Sequence, residues 1–435
     1  MVSWGVFGSY WWNTAVVGAP YTAYARKLGA SPLVLGVLSG AILLGVVGQV
    51  ISSYLVERTG RRKAILLTAL LLQRPLWTLV GALPFLIPPH LAQWRLAGLF
   101  ALTFTSSVLG GIGGPAWTSW MAYVIPERIR AQFLAARYQL ATITGMLSAL
   151  LVGKILDWND SFTSFLVLFV VAGVMGTIDI LMFIFVPAHD HKPEQAPALA
   201  GVLAIPWRDR LFRRYLYYTA MSAATYGIVG QFGMLYLLEY ARLGKLLSNW
   251  YGLTLPLLVA ALLGPACGRY IARFGNRPML IVGTILALPL PITYNITGPH
   301  SHILLTATAL TAGVVTAIVG VAEINMMFAL TPEEKRSTYL AAVSATAGLV
   351  GAAAPMVGGI IAQALSGWVW VVWDFPVRNL HAVFAVAVLL RILHVVFFVP
   401  RLPETHARSP RELVAEVIRS HGEVVAGAAR RIRGR

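Results

Sequence analysis

Acidic residues are scarce in this 435-residue chain: 17 Asp and Glu stand against 34 Lys and Arg, and none precedes Glu57. A single cysteine, Cys267, excludes an internal disulfide and a cysteine metal cluster. The basic stretch VERTGRRK, Val56 to Lys63, holds neither a G-x-G-x-x-G nor a P-loop glycine pattern, which argues against nucleotide binding there. Charged residues make up 12% of the chain, where a soluble protein carries roughly a quarter. An ATPase, a nucleic-acid binder and a soluble enzyme all lack the residues they need, and nothing implies a cofactor or a metal.

What the chain has in quantity is apolar: hydrophobic residues reach 57%. They fall in runs of about 20 residues, enough to cross a hydrocarbon core as helix, and lipid forces backbone polar groups to pair within the segment. Twelve spans follow, near 6–25, 33–56, 64–87, 95–123, 133–156, 163–186, 214–238, 247–269, 278–297, 302–329, 338–365 and 379–400. The opening segment lacks a basic n-region and carries Tyr10, Trp11 and Trp12, so it reads as a retained helix. The expected fold is therefore an all-α polytopic membrane protein.

Lys and Arg set the expected orientation. With the N-terminus inside, 24 of the 34 fall on inner connections and the C-terminal tail, and 6 on the opposite side. The positive-inside rule then puts both termini in the cytoplasm and the chain in the cytoplasmic membrane. This explains most of the +17 net charge through contact with anionic membrane lipids, without nucleic acid. The longest polar interruption divides the chain into a first six-helix bundle (1–187), a linker (188–213), a second bundle (214–400) and a basic tail (401–435). Trp207 and Leu211 in the linker, and the tail itself, are candidates for lying on the inner surface.

The two halves look related. VERTGRR at 56–62 matches IARFGNR at 271–277, aligning Gly60 with Gly275, Arg58 with Arg273 and Arg62 with Arg277. IPERIR at 125–130 matches TPEEKR at 331–336, pairing Arg130 with Arg336. Matches in the same order after spans 2 and 4 of each half support a duplicated six-helix unit. On these residues the chain resembles the major facilitator superfamily. SYLVERTGRR resembles that family's loop between helices 2 and 3, with Glu57 at the acidic position followed by Arg58, Gly60, Arg61 and Arg62. The sequence departs from the pattern at Ser53, where the family usually has glycine, and at Ala272, where the second copy lacks the acid. The resemblance implies twelve helices in two pseudo-symmetric bundles. It also implies a cytoplasmic gate built from Glu57, Arg58, Gly60, Arg61, Arg62, Arg130, Arg273, Gly275, Arg277 and Arg336, and a central cavity lined by helices 1, 4, 7 and 10.

Those helices supply aromatic and neutral polar groups, which suit a small organic solute. The candidates are Trp11, Asn13, Trp117, Trp120, Tyr226, Gln231 and Asn325, each also explicable as helix packing. Charged residues inside spans are fewer. Glu323 in span 10 is the leading carboxylate, as a proton carrier or as part of a gate salt bridge, because an intramembrane acid is expensive to keep ionised. Asp179, Arg391 and His394, in spans 6 and 12, are expected to serve as buried charge support. The first four spans hold no acid, which disfavours a proton–drug antiporter relying on one there. The expected function is secondary transport of a small organic solute, with proton coupling and facilitated diffusion both open. Efflux of amphipathic drugs or lipids, and a non-transporting receptor with the same fold, are the alternatives.

Overall fold

Each apolar run folds as helix. In the computed structural model the described residues are 3–188, 205–294, 296–298, 300–332, 336–372 and 375–403. Ten segments have the length and hydropathy of a membrane span: Pro32–Thr59, Arg62–Leu86, Pro89–Val124, Glu127–Trp158, Phe162–Phe185, Lys245–Phe274, Asn276–Tyr294, His302–Leu330, Thr338–Ala364 and Asn379–Arg401. The first and seventh spans complete the twelve, and both are interrupted. The first runs Ser3–Trp11, a π turn Trp12–Val16, then Ala19–Lys27. The seventh, Arg210–Glu239, is kinked at Gly230. The all-α expectation needs one addition: β1 (Val369–Val372) and β2 (Phe375–Arg378) form an antiparallel hairpin between spans 11 and 12. Most of the 188–213 linker and of the 401–435 tail lies outside the described residues.

Proline decides much of the polar chemistry. A proline lacks the N–H that would bond the carbonyl four residues earlier, and that carbonyl cannot turn to water inside a membrane. Two such carbonyls, Val80 O and Ala287 O, find side-chain donors, and so do two helix-end carbonyls that lie four residues before a proline. Tyr24 Oη donates to Val80 O at 2.5 Å, four residues before Pro84. Arg95 Nη2 donates to Pro84 O at 2.8 Å, four before Pro88. Arg130 Nη2 donates to Ala122 O at 2.6 Å, four before Pro126, and Arg391 Nη1 donates to Ala287 O, four before Pro291. Each buried carbonyl left bare would cost about 1–3 kcal/mol.

One end of the bundle carries the basic connections at 57–63 and 124–131 and is called here the basic end. The other, with connections near 28–31, 159–161 and 240–244, is the far end. The halves join by polar contacts that gather toward the far end. Arg26 Nε meets Glu239 Oε1 at 2.5 Å, and Lys245 Nζ meets Asp160 Oδ2 at 3.0 Å. Asp157 caps the start of span 8, accepting from the backbone N–H of Lys245 (2.7 Å) and Leu246 (3.0 Å). Deeper in, Asn249 accepts from Ala19 N at 2.9 Å and donates to Ala149 O at 2.7 Å, while Thr22 donates to Gln231. Gly18 makes room for this clasp: its φ is 85°, and a Cβ there would lie 2.8 Å from Asn249 Oδ1.

Small residues then let spans 2 and 11 run backbone to backbone. A Cβ on Gly36 would strike Pro355 O and lie 3.2 Å from the Gly359 Cα, and one on Gly40 would lie 2.7 Å from Ala352 O. A testable consequence is steric: Gly36→Val should force the two backbones apart and destabilise the protein by about 1–3 kcal/mol, as overpacking of a close contact does. A lower thermal-unfolding midpoint in detergent reads it, and an unchanged midpoint would contradict the close seam.

Candidate substrate cavity

Span 7 presents Tyr215, Tyr218 and Ser222 on one helical face, because residues three, four and seven apart stack along a helix. Span 10 brings Glu323 opposite. Tyr218 Oη donates to Glu323 Oε1 at 2.8 Å and Ser222 Oγ to the same oxygen at 3.1 Å. Tyr215 Oη donates to the Glu323 carbonyl at 2.9 Å. Tyr215, Ser222 and Glu323, together with Thr219, Tyr226, Ile324, Met327 and Val343, line a cavity of about 260 Å³, and Tyr218 is buried behind them. Its wall is apolar and aromatic, with its one carboxylate held by hydroxyl donors. The arrangement can hold a solute against aromatic faces and present it with a single ionisable group.

Tyr226 continues the seam. On its other side a second chamber of about 160 Å³ is lined by Tyr294, Thr308, Thr316 and Arg391, among others. Spans 7 and 10 run antiparallel, so the Glu323 cavity lies nearer the basic end and this chamber deeper, toward the far end.

Several expected cavity residues point elsewhere. Trp11 is buried within the first half, with the Arg74 guanidinium 3.6 Å from its ring centroid and Trp77 edge-on at 6.4 Å. Asn13 donates to Ser9 O at 2.9 Å and lies against Gly145 of span 5. Trp120 is completely buried against Phe183 and Lys63, and Trp117 stacks under Arg137 at 4.4 Å. In this state all four pack within the first half, the three tryptophans beside its cations Arg74, Arg137 and Lys63. Gln231 belongs to the far-end seal through Thr22, and Asn325 is exposed outside the Glu323 cavity lining. Tyr226 and Glu323 do line it.

Asp179, Arg391 and His394 do not form one group. Asp179 sits in the first half within electrostatic reach of Arg74 and Arg137. Arg391 and His394 are in the second, where His394 packs on the Tyr218 ring at 4.8 Å. The residues missed as partners of Glu323 are Tyr215, Tyr218 and Ser222; their helical spacing was the available signal. Asn249 gave none, because its partners are backbone groups 230 and 100 residues away.

At the basic end, Gly60 and Gly275 both end a helix at positive φ, 66° and 91°. Arg58 donates to Tyr54 at 2.9 Å, and Arg62 lies over Tyr123 at 4.5 Å. Arg130 bonds its own half at Ala122 and Ile125. Arg61 is exposed, Glu57 is half-buried in the last turn of its helix, Arg273 lies over Phe274 at 5.3 Å, and Arg277 is half-buried. The side chain of Arg336 lies outside the described residues.

Comparison with known proteins agrees with this architecture. The sequence model of the Major Facilitator Superfamily matches residues 3–254 and 245–433. Among solved structures, the nucleoside transporter NupG superposes with a TM-score of 0.69 at 10% identity, covering 93% of this chain and 98% of that one. A D-xylose–proton symporter gives 0.69 at 14%, covering 94% and 98%. A bacterial homolog of the human lysosomal transporter Spinster, inward-facing and unoccupied, gives 0.66 at 13%, covering 92% and 95%. Among curated protein sequences there is no match.

The clasp at Asn249 makes a prediction of its own. Asn249→Ala strands the Ala19 N–H and the Ala149 carbonyl, at about 1–3 kcal/mol each, and so loosens the far-end closure. A thiol placed by Gln231→Cys, on the Cys267→Ala background, should then label faster from the far-end side. An unchanged rate would mean the seal does not depend on Asn249.

Proposed function

Because the chain belongs to the Major Facilitator Superfamily, we propose that it is a secondary transporter moving a small organic solute across the cytoplasmic membrane by alternating access, with both termini cytoplasmic. No bond in the solute is made or broken. The carrying observation is the Glu323 cavity, where hydroxyls of Tyr218 and Ser222 hold one carboxylate in an aromatic wall. The far-end seal supports a state closed on the outside, with the Glu323 cavity reached from the cytoplasm. Breaking that seal and closing the basic end would give the opposite state.

The basic-end loops are the parts suited to that second closure. Glu57, Arg58, Gly60, Arg61 and Arg62, with Arg130, Arg273, Gly275, Arg277 and Arg336, are proposed as its latch. Support comes from the repeated positive-φ glycines, Gly60 and Gly275, which end the helix before the basic loop in both halves. Charges brought together there are favourable only if paired, so the latch holds in one state and is released in the other.

Glu323 is proposed as the coupling group. A carboxylate that alternates between the hydroxyls of span 7 and a proton changes the charge of the cavity by one unit per cycle, and a ligand or proton can bias two states only through such differential binding. The test is flux in vesicles containing only this protein, with nucleosides, sugars and peptides as labelled solutes. Glu323→Gln should keep solute exchange but lose accumulation driven by a pH gradient. Undiminished pH-driven accumulation would remove the coupling assignment, and no saturable flux of any solute would remove transport itself.

A further inference from the structure

Arg391 has a structural task that accounts for its position but not for its charge. Its Nη1 satisfies the Ala287 carbonyl that Pro291 leaves open. That uses one of five guanidinium N–H donors, and a neutral hydroxyl performs the same task for Val80, where Tyr24 is the donor. Arg391 is nonetheless 6% exposed, and among the described residues no carboxylate forms an ion pair with it. A buried, unbalanced cation is costly in a membrane domain.

The first half offers a contrast: its buried Arg74 covers the Trp11 ring and lies within electrostatic reach of Asp179 on span 6. Span 12 holds no Asp or Glu, so Arg391 has no acid on its own helix. What Arg391 faces instead is the 160 Å³ chamber, with the hydroxyl groups of Tyr294, Thr308 and Thr316 around it. A small adjoining void brings in His394, whose buried Nε2 has no hydrogen-bond partner. Tyr226 lies with its ring 5.2 Å from the Arg391 guanidinium and forms a wall of both this chamber and the Glu323 cavity.

We propose that the Arg391 chamber is the subsite for the anionic group of the bound solute. The solute is an organic acid whose carboxylate or phosphate supplies the missing countercharge to Arg391, while its neutral body lies along Tyr226 toward Glu323. Tyr294, Thr308 and Thr316 orient the acid through their hydroxyls. An ionised Glu323 repels such a solute across Tyr226, and a protonated one does not, so proton and organic anion bind together. This inference rests on the transport reading for the cycle but not for the binding event.

The test is thermal unfolding of the detergent-purified full chain with matched pairs: glucuronate against glucose, uridine monophosphate against uridine, and benzoate against benzyl alcohol. Binding to the native state raises the midpoint saturably. At least one acid should do so where its neutral mate does not, and more strongly at lower pH. Arg391→Gln should weaken that acid by about tenfold or more, the factor carried by a lost charge-assisted hydrogen bond, with Arg391→Lys retaining part of the effect. Thr316→Val, whose hydroxyl otherwise bonds only its own helix at Ala312 O, should weaken it less and leaves the Ala287 bond intact; it decides the matter if the arginine variants do not fold. No shift from any acid, equal shifts from acid and neutral mate, or unchanged acid binding in the folded variants overturns the proposal. Arg391-independent flux of a neutral solute overturns it while leaving transport standing, whereas acid binding without flux supports the subsite and overturns transport.

Discussion

In hydrocarbon a backbone carbonyl that loses its helical partner cannot turn to water, and this constraint organises the polar chemistry of the molecule. Prolines 84 and 291 each open one carbonyl, the helix ends before Pro88 and Pro126 each leave another, and Tyr24, Arg391, Arg95 and Arg130 each close one. Three of the four donors are arginines, so closing the ladder also brings charge to defined depths. Where the cation lies near a bundle end, as Arg130 does, the charge is easily solvated. At Arg391 it is buried between spans 7, 9, 10 and 12, and the same bond that stitches span 12 to span 9 leaves a cation beside a cavity.

Duplication gives the two halves one frame but not one chemistry. Away from the far-end seal, the first half keeps its charges to itself: Arg74 lies over Trp11, Arg137 over Trp117, and Asp179 within electrostatic reach of both cations. The second half turns its acid and its cation toward cavities, Glu323 on one side of Tyr226 and Arg391 on the other.

The seal between the halves shows why some of the site was legible and some was not. Glu323 and Tyr226 stood out because an acid and a polar ring on a membrane helix have few explanations, and both line the cavity. Trp11 and Trp120 stood out for the same reason and are packed inside the first half, since a ring is equally at home over a neighbouring cation or against another ring. The seal at Asn249, Gly18 and Gly36 left no such trace: its partners are backbone atoms, which carry no side-chain signature, and they come from spans far apart in the chain.

By itself the sequence determined the twelve helical spans, their division into two related bundles and the glycine turns after spans 2 and 8. Those follow from run length, charge placement and backbone freedom, which are local properties of the chain. Only the tertiary structure decided which face of each helix meets the cavity, that Asp179 lies near Arg74 and Arg137 while Arg391 lines a chamber, and that a proline in span 9 recruits an arginine from span 12. Helical periodicity states which residues share a face, but the rotation of one helix against its neighbours is set by how glycines and large rings interlock across the whole bundle.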